Sequence, residues 1–272
     1  MNRYYSLQSL DCHKTRKVLY HIMDLTNFRD IGGIATRLGK IKEKRLLRSG
    51  QLFELSESDC ASLRDDYHLR LIIDLRAPNE CLKHPDTQVD GARYLNIDVM
   101  KGMVGGAPGF DMLLQQLDLS IVDEHMLEVY RDIILNKAAS EEYGRFVNEV
   151  ANLPDGAALF HCFAGKDRTG LCAVLMLETL GATKDDIMAD YMLTNIMREE
   201  ANTAICADSV KRYNLSADKA EALRQFLLVK EDYLHESYLT INETYGSVEK
   251  YMTEGLQVLP ETLDKLRAKY LV

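Results

Sequence analysis

The chain has no tryptophan, no closely spaced pair among its six cysteines, no apolar run long enough to span a membrane and a deficit of basic residues. Each absence excludes something. Cys12, Cys60, Cys81, Cys162, Cys172 and Cys206 have neither the spacing of a zinc site nor that of a disulfide framework, which reads as reduced thiols in a cytoplasmic protein. Without a membrane-length apolar run, stable membrane insertion is not expected. The first residues, Met1-Asn2-Arg3-Tyr4-Tyr5, lack a signal-peptide core, so export would need a route without a recognisable signal. With 33 basic against 42 acidic residues the formal net charge is -9, which argues against nucleic acid as a general partner. There are no repeats, low-complexity tracts or linkers. At 272 residues and 46% hydrophobic content, residues 1–272 are expected to form one domain with a sizeable core; oligomeric state is not encoded legibly.

What is present concentrates in one run, His161-Cys162-Phe163-Ala164-Gly165-Lys166-Asp167-Arg168-Thr169-Gly170. The apolar residues before it, Ala157 to Phe160, read as a buried strand, and Thr169 to Leu180 reads as an apolar helix in which Cys172 is a core residue. A strand therefore passes through a short loop into a helix N-terminus. The free N–H groups of such a turn converge on an anion, with the positive end of the helix dipole behind them. The same field favours thiolate, which makes Cys162 a candidate nucleophile. Arg168 offers a planar fork for two phosphate oxygens, and Phe163, Ala164, Gly165, Lys166 and Asp167 supply the rest of the cradle. Thr169 is placed to donate its hydroxyl to the Cys162 sulfur, and His161 reads as a loop-orienting partner rather than a general base. Gly165-Lys166 is not a nucleotide-binding loop, because Asp167 follows the lysine and Phe160 occupies the position of the first glycine.

Around this run the pattern is α/β. Residues 25–52 read as a twisted N-terminal hairpin, with turns at Gly32-Gly33 and Gly39, and Ser56-Glu57-Ser58-Asp59 opens a helix. Leu69 to Leu75, Tyr94 to Val99 and Leu159 to Cys162 suit a mostly parallel central sheet flanked by helices. Ligands bind beyond the carboxyl ends of such strands, where Cys162, Asp74 and Asp98 fall. From Thr183 onward the pattern is helical, with helices expected over Ser216 to Val229, Tyr238 to Gly255 and Pro260 to Leu271. Tyr213, Tyr233, Tyr238, Tyr245 and Tyr251 make about 183–255 a candidate helical layer, part of it a lid over the site.

The loop resembles that of the cysteine-dependent protein tyrosine phosphatases, and specifically the atypical bacterial branch that is mycobacterial protein tyrosine phosphatase B-like. Asn27-Phe28-Arg29-Asp30-Ile31-Gly32-Gly33, Leu47-Arg48-Ser49-Gly50 and Asp190-Tyr191-Met192-Leu193-Thr194-Asn195 extend the resemblance over most of the chain. It implies the tyrosine phosphatase fold and hydrolysis of phosphotyrosine, with phosphoserine, phosphothreonine and phosphoinositide as further substrate classes, through a phosphocysteine at Cys162. No cofactor and no metal are required, because Arg168, the loop amides and Lys166 supply the positive charge. Conventional members of the family take their general acid from a Trp-Pro-Asp loop, which a chain without tryptophan cannot have. Pro85-Asp86 is far upstream and Pro154-Asp155 reads as a turn, so Asp167 is the leading acid, as in myotubularin-type loops, and Asp74 the second. The alternative for Asp74 is an ion pair with Arg76 or the loop backbone. Arg29 and Asp30 are expected to brace the loop from the hairpin. A phosphoinositide-specific phosphatase, a rhodanese-like sulfurtransferase and a phosphate-binding pseudoenzyme are the competing readings; Lys166-Asp167-Arg168-Thr169 speaks against the second, and intact Cys162 and Arg168 against the third.

Overall fold

The computed structural model describes residues 25–102 and 110–272; Cys12 and the N-terminal residues inspected for a signal core lie outside them. Its centre is a five-stranded sheet of β1 (Arg29–Asp30), β4 (Leu46–Ser49), β5 (Leu69–Asp74), β6 (Arg93–Asn96) and β7 (Ala157–His161), in the spatial order β1-β4-β7-β5-β6. The last four strands are mutually parallel, and β1 alone runs against its neighbour. Between β1 and β4 the chain inserts a small hairpin of β2 (Ala35–Thr36) and β3 (Gly39–Lys40). The architecture is the mostly parallel α/β sheet flanked by helices that the sequence implies.

The strand order follows from burial. Every residue of β7 is buried, with Ala157 and Leu159 in one core and Ala158 and Phe160 in the other. Apolar residues at every position of a period-two element suit a parallel strand covered on both faces, so β7 lies in the middle. In β5, Leu71 and Ile73 face one core and Leu69 and Ile72 the other; a bulge between Leu69 and Leu71 accounts for the slip and leaves Arg70 exposed. The smaller core is closed by Leu63 of α1 (Glu57–Asp65). The larger is closed by α5 (Lys137–Asn152), α6 (Asp167–Thr179) and α12 (Pro260–Tyr270), where Phe146 meets Phe160 edge to face at 5.2 Å. Leu171 to Leu177 of α6 are all buried, Cys172 among them.

The helical part continues through α7 (Lys184–Met197), α8 (Glu199–Tyr213), α9 (Ala217–Leu227) and α10 (Glu231–Tyr245). Thr183 and Ser216 cap α7 and α9, each accepting a backbone N–H through its side-chain oxygen. The single helix expected from Tyr238 to Gly255 does not form. Gly246 ends α10 in the left-handed region at φ 82°, and a short helix and a π turn, Tyr251–Gly255, follow. Tyr233 and Tyr251 are buried in the main core rather than standing over a pocket, whereas Tyr213 is 39% exposed.

The register decides where function can sit. Ser49, His161, Asp74 and Asn96 lie side by side across β4, β7, β5 and β6. All four strands end on this row, so the segments leaving it form one edge of the sheet.

Candidate active site

The loop after β7 wraps around Cys162, which is 2% exposed. Five consecutive carbonyls of this loop are held on its outside. His161 Nδ1 lies 3.2 Å from the Cys162 oxygen, and Gln51 N–H donates to the Phe163 oxygen at 3.1 Å. The Ala164 oxygen takes Arg198 Nη1 at 3.0 Å and Asn27 Nδ2 at 3.2 Å; the Gly165 oxygen takes Asn27 Nδ2 at 2.8 Å and Arg48 Nη2 at 2.9 Å. The Lys166 oxygen accepts Gly170 N–H at 2.9 Å. Because each peptide group is planar and trans, a carbonyl turned outward sends the next N–H the other way. The amides of residues 163–167 therefore face the interior of the loop. Gly165 permits this path: it sits at φ 67°, and a Cβ there would stand 2.2 Å from the Ser49 oxygen.

Behind the loop is a buried cluster. Arg29 Nε and Arg48 Nη1 bond the two oxygens of Asp190 in α7, at 2.7 Å and 2.5 Å, and Arg29 Nη1 bonds Asn27 Oδ1 at 2.5 Å. Arg29 thus braces the loop through Asn27 and Asp190. Asp30 does not reach it: its oxygens take the N–H groups of Gly32 at 2.7 Å and Lys44 at 2.5 Å, closing the hairpin instead.

On the other side stands the segment that follows β5. Glu80 of α2 (Pro78–Lys83) grips Arg168 with both oxygens, at 2.6 Å and 2.9 Å, while its Oε2 also accepts Ala77 N–H at 3.0 Å. Burial opposes the Glu80 charge, but the Arg168 hydrogen bonds outweigh it and hold its carboxyl below the usual range. The guanidinium fork is fixed in orientation. Arg76, fully buried, bonds Asp74 Oδ1 and Oδ2 at 2.9 Å and 2.7 Å and Asp86 Oδ1 at 2.8 Å. Asp74 also accepts Tyr94 Oη at 2.8 Å. Burial would raise its pKa, yet the charge of His161 and the bonds from Arg76 lower it well below the carboxylate range. Asp74 is the ionised partner of Arg76, the alternative raised for it above, and no oxygen of it is free of a donor.

Cys162 has the electrostatics of a nucleophile. Burial pushes its thiol up, but the Arg168 charge and the Thr169 hydroxyl and amide push it down further, so it ionises below the ordinary thiol value. The Thr169 hydroxyl is fully buried beside the sulfur it favours as thiolate. Asp167, first residue of α6, accepts Tyr130 Oη at 2.6 Å from α4 (Val122–Leu135), and Tyr130 in turn meets Tyr191 Oη at 2.7 Å. Lys166 turns away from the cradle: its Nζ bonds the carbonyls of Phe226 and, at 3.1 Å, Leu228 at the end of α9. Asn195 fastens the same stretch through both the N–H and the carbonyl of Val229, at 2.8 Å and 2.9 Å. Phe163 is 39% exposed at the mouth, its ring 6.2 Å from that of His84.

A buried thiol poised to ionise, a ring of amides and a clamped arginine meet in one loop. A family model described as the tyrosine phosphatase family matches residues 20–272. The chain belongs to that family. Three relatives agree. A Cupriavidus necator protein, provisionally named a tyrosine-protein phosphatase, is 32% identical over 251 residues, covering 91% of this chain and 86% of its own. The triple specificity protein phosphatase PtpB of Mycobacterium tuberculosis is 28% identical over 279 residues, 90% of this chain and 96% of its own. A tyrosine-protein phosphatase of Nostoc commune is 30% identical over 160 residues, 59% of this chain and 51% of its own. The protein is a phosphatase, and among its described residues no helix is long and apolar enough to cross a membrane.

Sequence reasoning missed Glu80, Asp86, Asn27, Arg198 and Tyr130. Each lies far from the motif in the chain, and each acts on it through one side chain. Asn27, inside the run Asn27 to Gly33, carried a signal that pointed its way, and Asp86 stood in a Pro-Asp pair set aside as too far upstream for the acid.

Proposed function

We propose that this phosphatase hydrolyses phosphate monoesters, phosphotyrosine of proteins first and phosphoserine, phosphothreonine or the lipid phosphoinositides besides, through a phosphocysteine at Cys162. One observation carries the reading: the outward carbonyls of residues 162–166, which leave five amides and Arg168 around a thiol that ionises easily. The thiolate attacks phosphorus as the ester P–O bond breaks, and Asp167 gives its proton to the departing oxygen. Water then attacks the phosphocysteine, its proton passes to the Asp167 carboxylate, and the S–P bond breaks to release inorganic phosphate and restore the thiolate. Arg168 and the amides hold the charge that spreads over the three equatorial oxygens in both steps.

Lys166, lent to the α9 carbonyls, is the reserve cation for a second anionic group on the substrate, and the stretch 226–229 it holds is the lid part of the 183–255 layer in a single catalytic domain. The triple specificity in the name of the M. tuberculosis relative supports the broad substrate range. The cysteines Cys60, Cys81, Cys162, Cys172 and Cys206, all unpaired, fit a cytoplasmic setting. Cys162→Ser tests the reading on a panel of phosphopeptides and phosphoinositides at matched concentration. Turnover should vanish on every substrate while phosphate still binds; turnover retained in a clean preparation overturns it.

A further inference from the structure

His161, the last residue of β7, is fully buried directly before the nucleophile. Its Nδ1 faces the Cys162 carbonyl oxygen at 3.2 Å, and its Nε2 lies 2.7 Å from Asp86 Oδ2. A carbonyl oxygen and a carboxylate both accept and neither donates. No neutral tautomer of imidazole satisfies both contacts, because each carries a single N–H. The ring that does is the imidazolium. Burial opposes that charge, but the Asp86 hydrogen bond and the Asp74 charge prevail and raise the His161 pKa.

Asp86, not Asp74, is the residue that sets this state. Asp74 stands 4.0 Å from Nε2 and gives its oxygens to Arg76, Tyr94 and Cys81. Asp86 Oδ1 is taken by Arg76 and by Leu52 N–H at 3.1 Å, whereas Asp86 Oδ2 and His161 Nε2, both buried and otherwise unpartnered among the described residues, stand 2.7 Å apart as an ion pair. The loop that carries Asp86 is fastened to the chain after β4: Thr87 N–H donates to the Leu52 oxygen at 2.7 Å, and Leu55 N–H to Thr87 Oγ1 at 2.9 Å. The carboxylate is therefore fixed before any ligand arrives. The charged groups facing the ring are Asp74 at the end of β5, Arg76 just beyond it and Asp86. Asp74, Asp86 and His161 approach one another as closely as ligands of a metal do, but Arg76 already bonds both carboxylates, so the cluster closes as a neutral group of two anions and two cations.

We infer that Asp86 is a positioning residue for the phosphatase reaction: it keeps His161 a buried imidazolium against the backbone of Cys162, placing the positive end of the Asp86–His161 pair behind the nucleophile. The inference rests on Cys162 being that nucleophile. Without Asp86 a buried imidazole gives up its second proton, and the sulfur loses that support.

The test is Asp86→Asn, which keeps an oxygen for Leu52 N–H and Arg76 and changes only what faces the ring. In the parent, the His161 imidazole signals of histidine-labelled protein, assigned with His161→Gln, should report both nitrogens protonated at pH 7. In Asp86→Asn the ring should be neutral at pH 7, and the pH at which Cys162 half-ionises, read from the rate of iodoacetate alkylation, should rise by about one unit. The acid limb of kcat/KM should move with it, and Asp86→Glu should restore part of both shifts. A neutral His161 in the parent at pH 7 overturns the inference, a result that holds even if the variant fails to fold. So does an alkylation profile left unmoved while the ring becomes neutral. If Cys162→Ser turns over substrate, the phosphocysteine reading falls; if it is dead and Asp86→Asn leaves thiol ionisation unchanged, only the role of Asp86 falls.

Discussion

The two flanks of the catalytic loop handle it in opposite ways. On the β1–β4 side, cationic and amide side chains, Arg48, Arg198 and Asn27, hold backbone carbonyls. On the β5 side, carboxylates hold the motif's own cationic side chains: Glu80 takes Arg168 and Asp86 takes His161. The first flank fixes which way the loop's peptides point, and the second fixes where its charges sit. The His161–Asp86 pair is as deeply buried as the first flank, and the difference in depth lies at Arg168. The Asp190 cluster is buried with both arginines nearly inaccessible, while the Arg168–Glu80 pair keeps 14% and 18% exposure at the mouth. Damage on the first flank should appear mainly as lost stability, and damage on the second as lost catalysis.

The largest effect expected from breaking this contrast is that of Asp190→Asn. It takes the Asp190 charge away from two buried arginines, Arg29 and Arg48, and should cost about 3–5 kcal/mol in urea unfolding. The pH dependence follows the same group. Burial opposes the Asp190 charge, but Arg29 and Arg48 hold its folded pKa below the usual aspartate range. A depressed folded pKa means that its contribution is present above the unfolded value and is lost as pH falls from there toward the folded one. The parent should therefore lose stability on acidification below about pH 4 more steeply than Asp190→Asn. Equal slopes would remove the ion pairs from the account.

Glu80→Gln sharpens the comparison from the other flank. It keeps the shape of the clamp but not its charge, so Arg168 is left free to turn. We expect kcat/KM to fall by roughly 10- to 100-fold with less than about 1 kcal/mol lost in unfolding, because the pair is partly open to solvent. A stability loss as large as that of Asp190→Asn, or unchanged kinetics, would merge the two flanks into one.

The same contrast explains what was legible in the sequence. The loop from His161 to Gly170 announces itself because its chemistry lies in consecutive residues, and β7 and α6 follow from the apolar runs on either side. The β5 flank does not. Glu80 sits in an exposed, mixed-charge helix of six residues, and Asp86 follows a proline too far upstream of the motif to read as its partner; neither gains meaning until the parallel register sets Asp74 beside His161. The helix expected across Tyr238 to Gly255 failed for a local reason, a left-handed Gly246 within an otherwise periodic run. Lys166 shows the limit of motif reading most plainly. Its place in the loop points to phosphate, yet its ammonium is held by carbonyls sixty residues away, a contact that only the folding of α9 over the site creates.

The central claim is that both flanks exist to make Cys162 a nucleophile that carries phosphate. Rapid acid quenching of Asp167→Asn during turnover of an aryl phosphate, followed by peptide mass analysis, tests it most directly, because loss of the acid and base group slows hydrolysis of the intermediate. The account predicts one phosphoryl group on the peptide containing Cys162, present during turnover and absent from Cys162→Ser treated in the same way. Turnover with no phosphoryl group on that peptide, or one carried by a different residue, would contradict it.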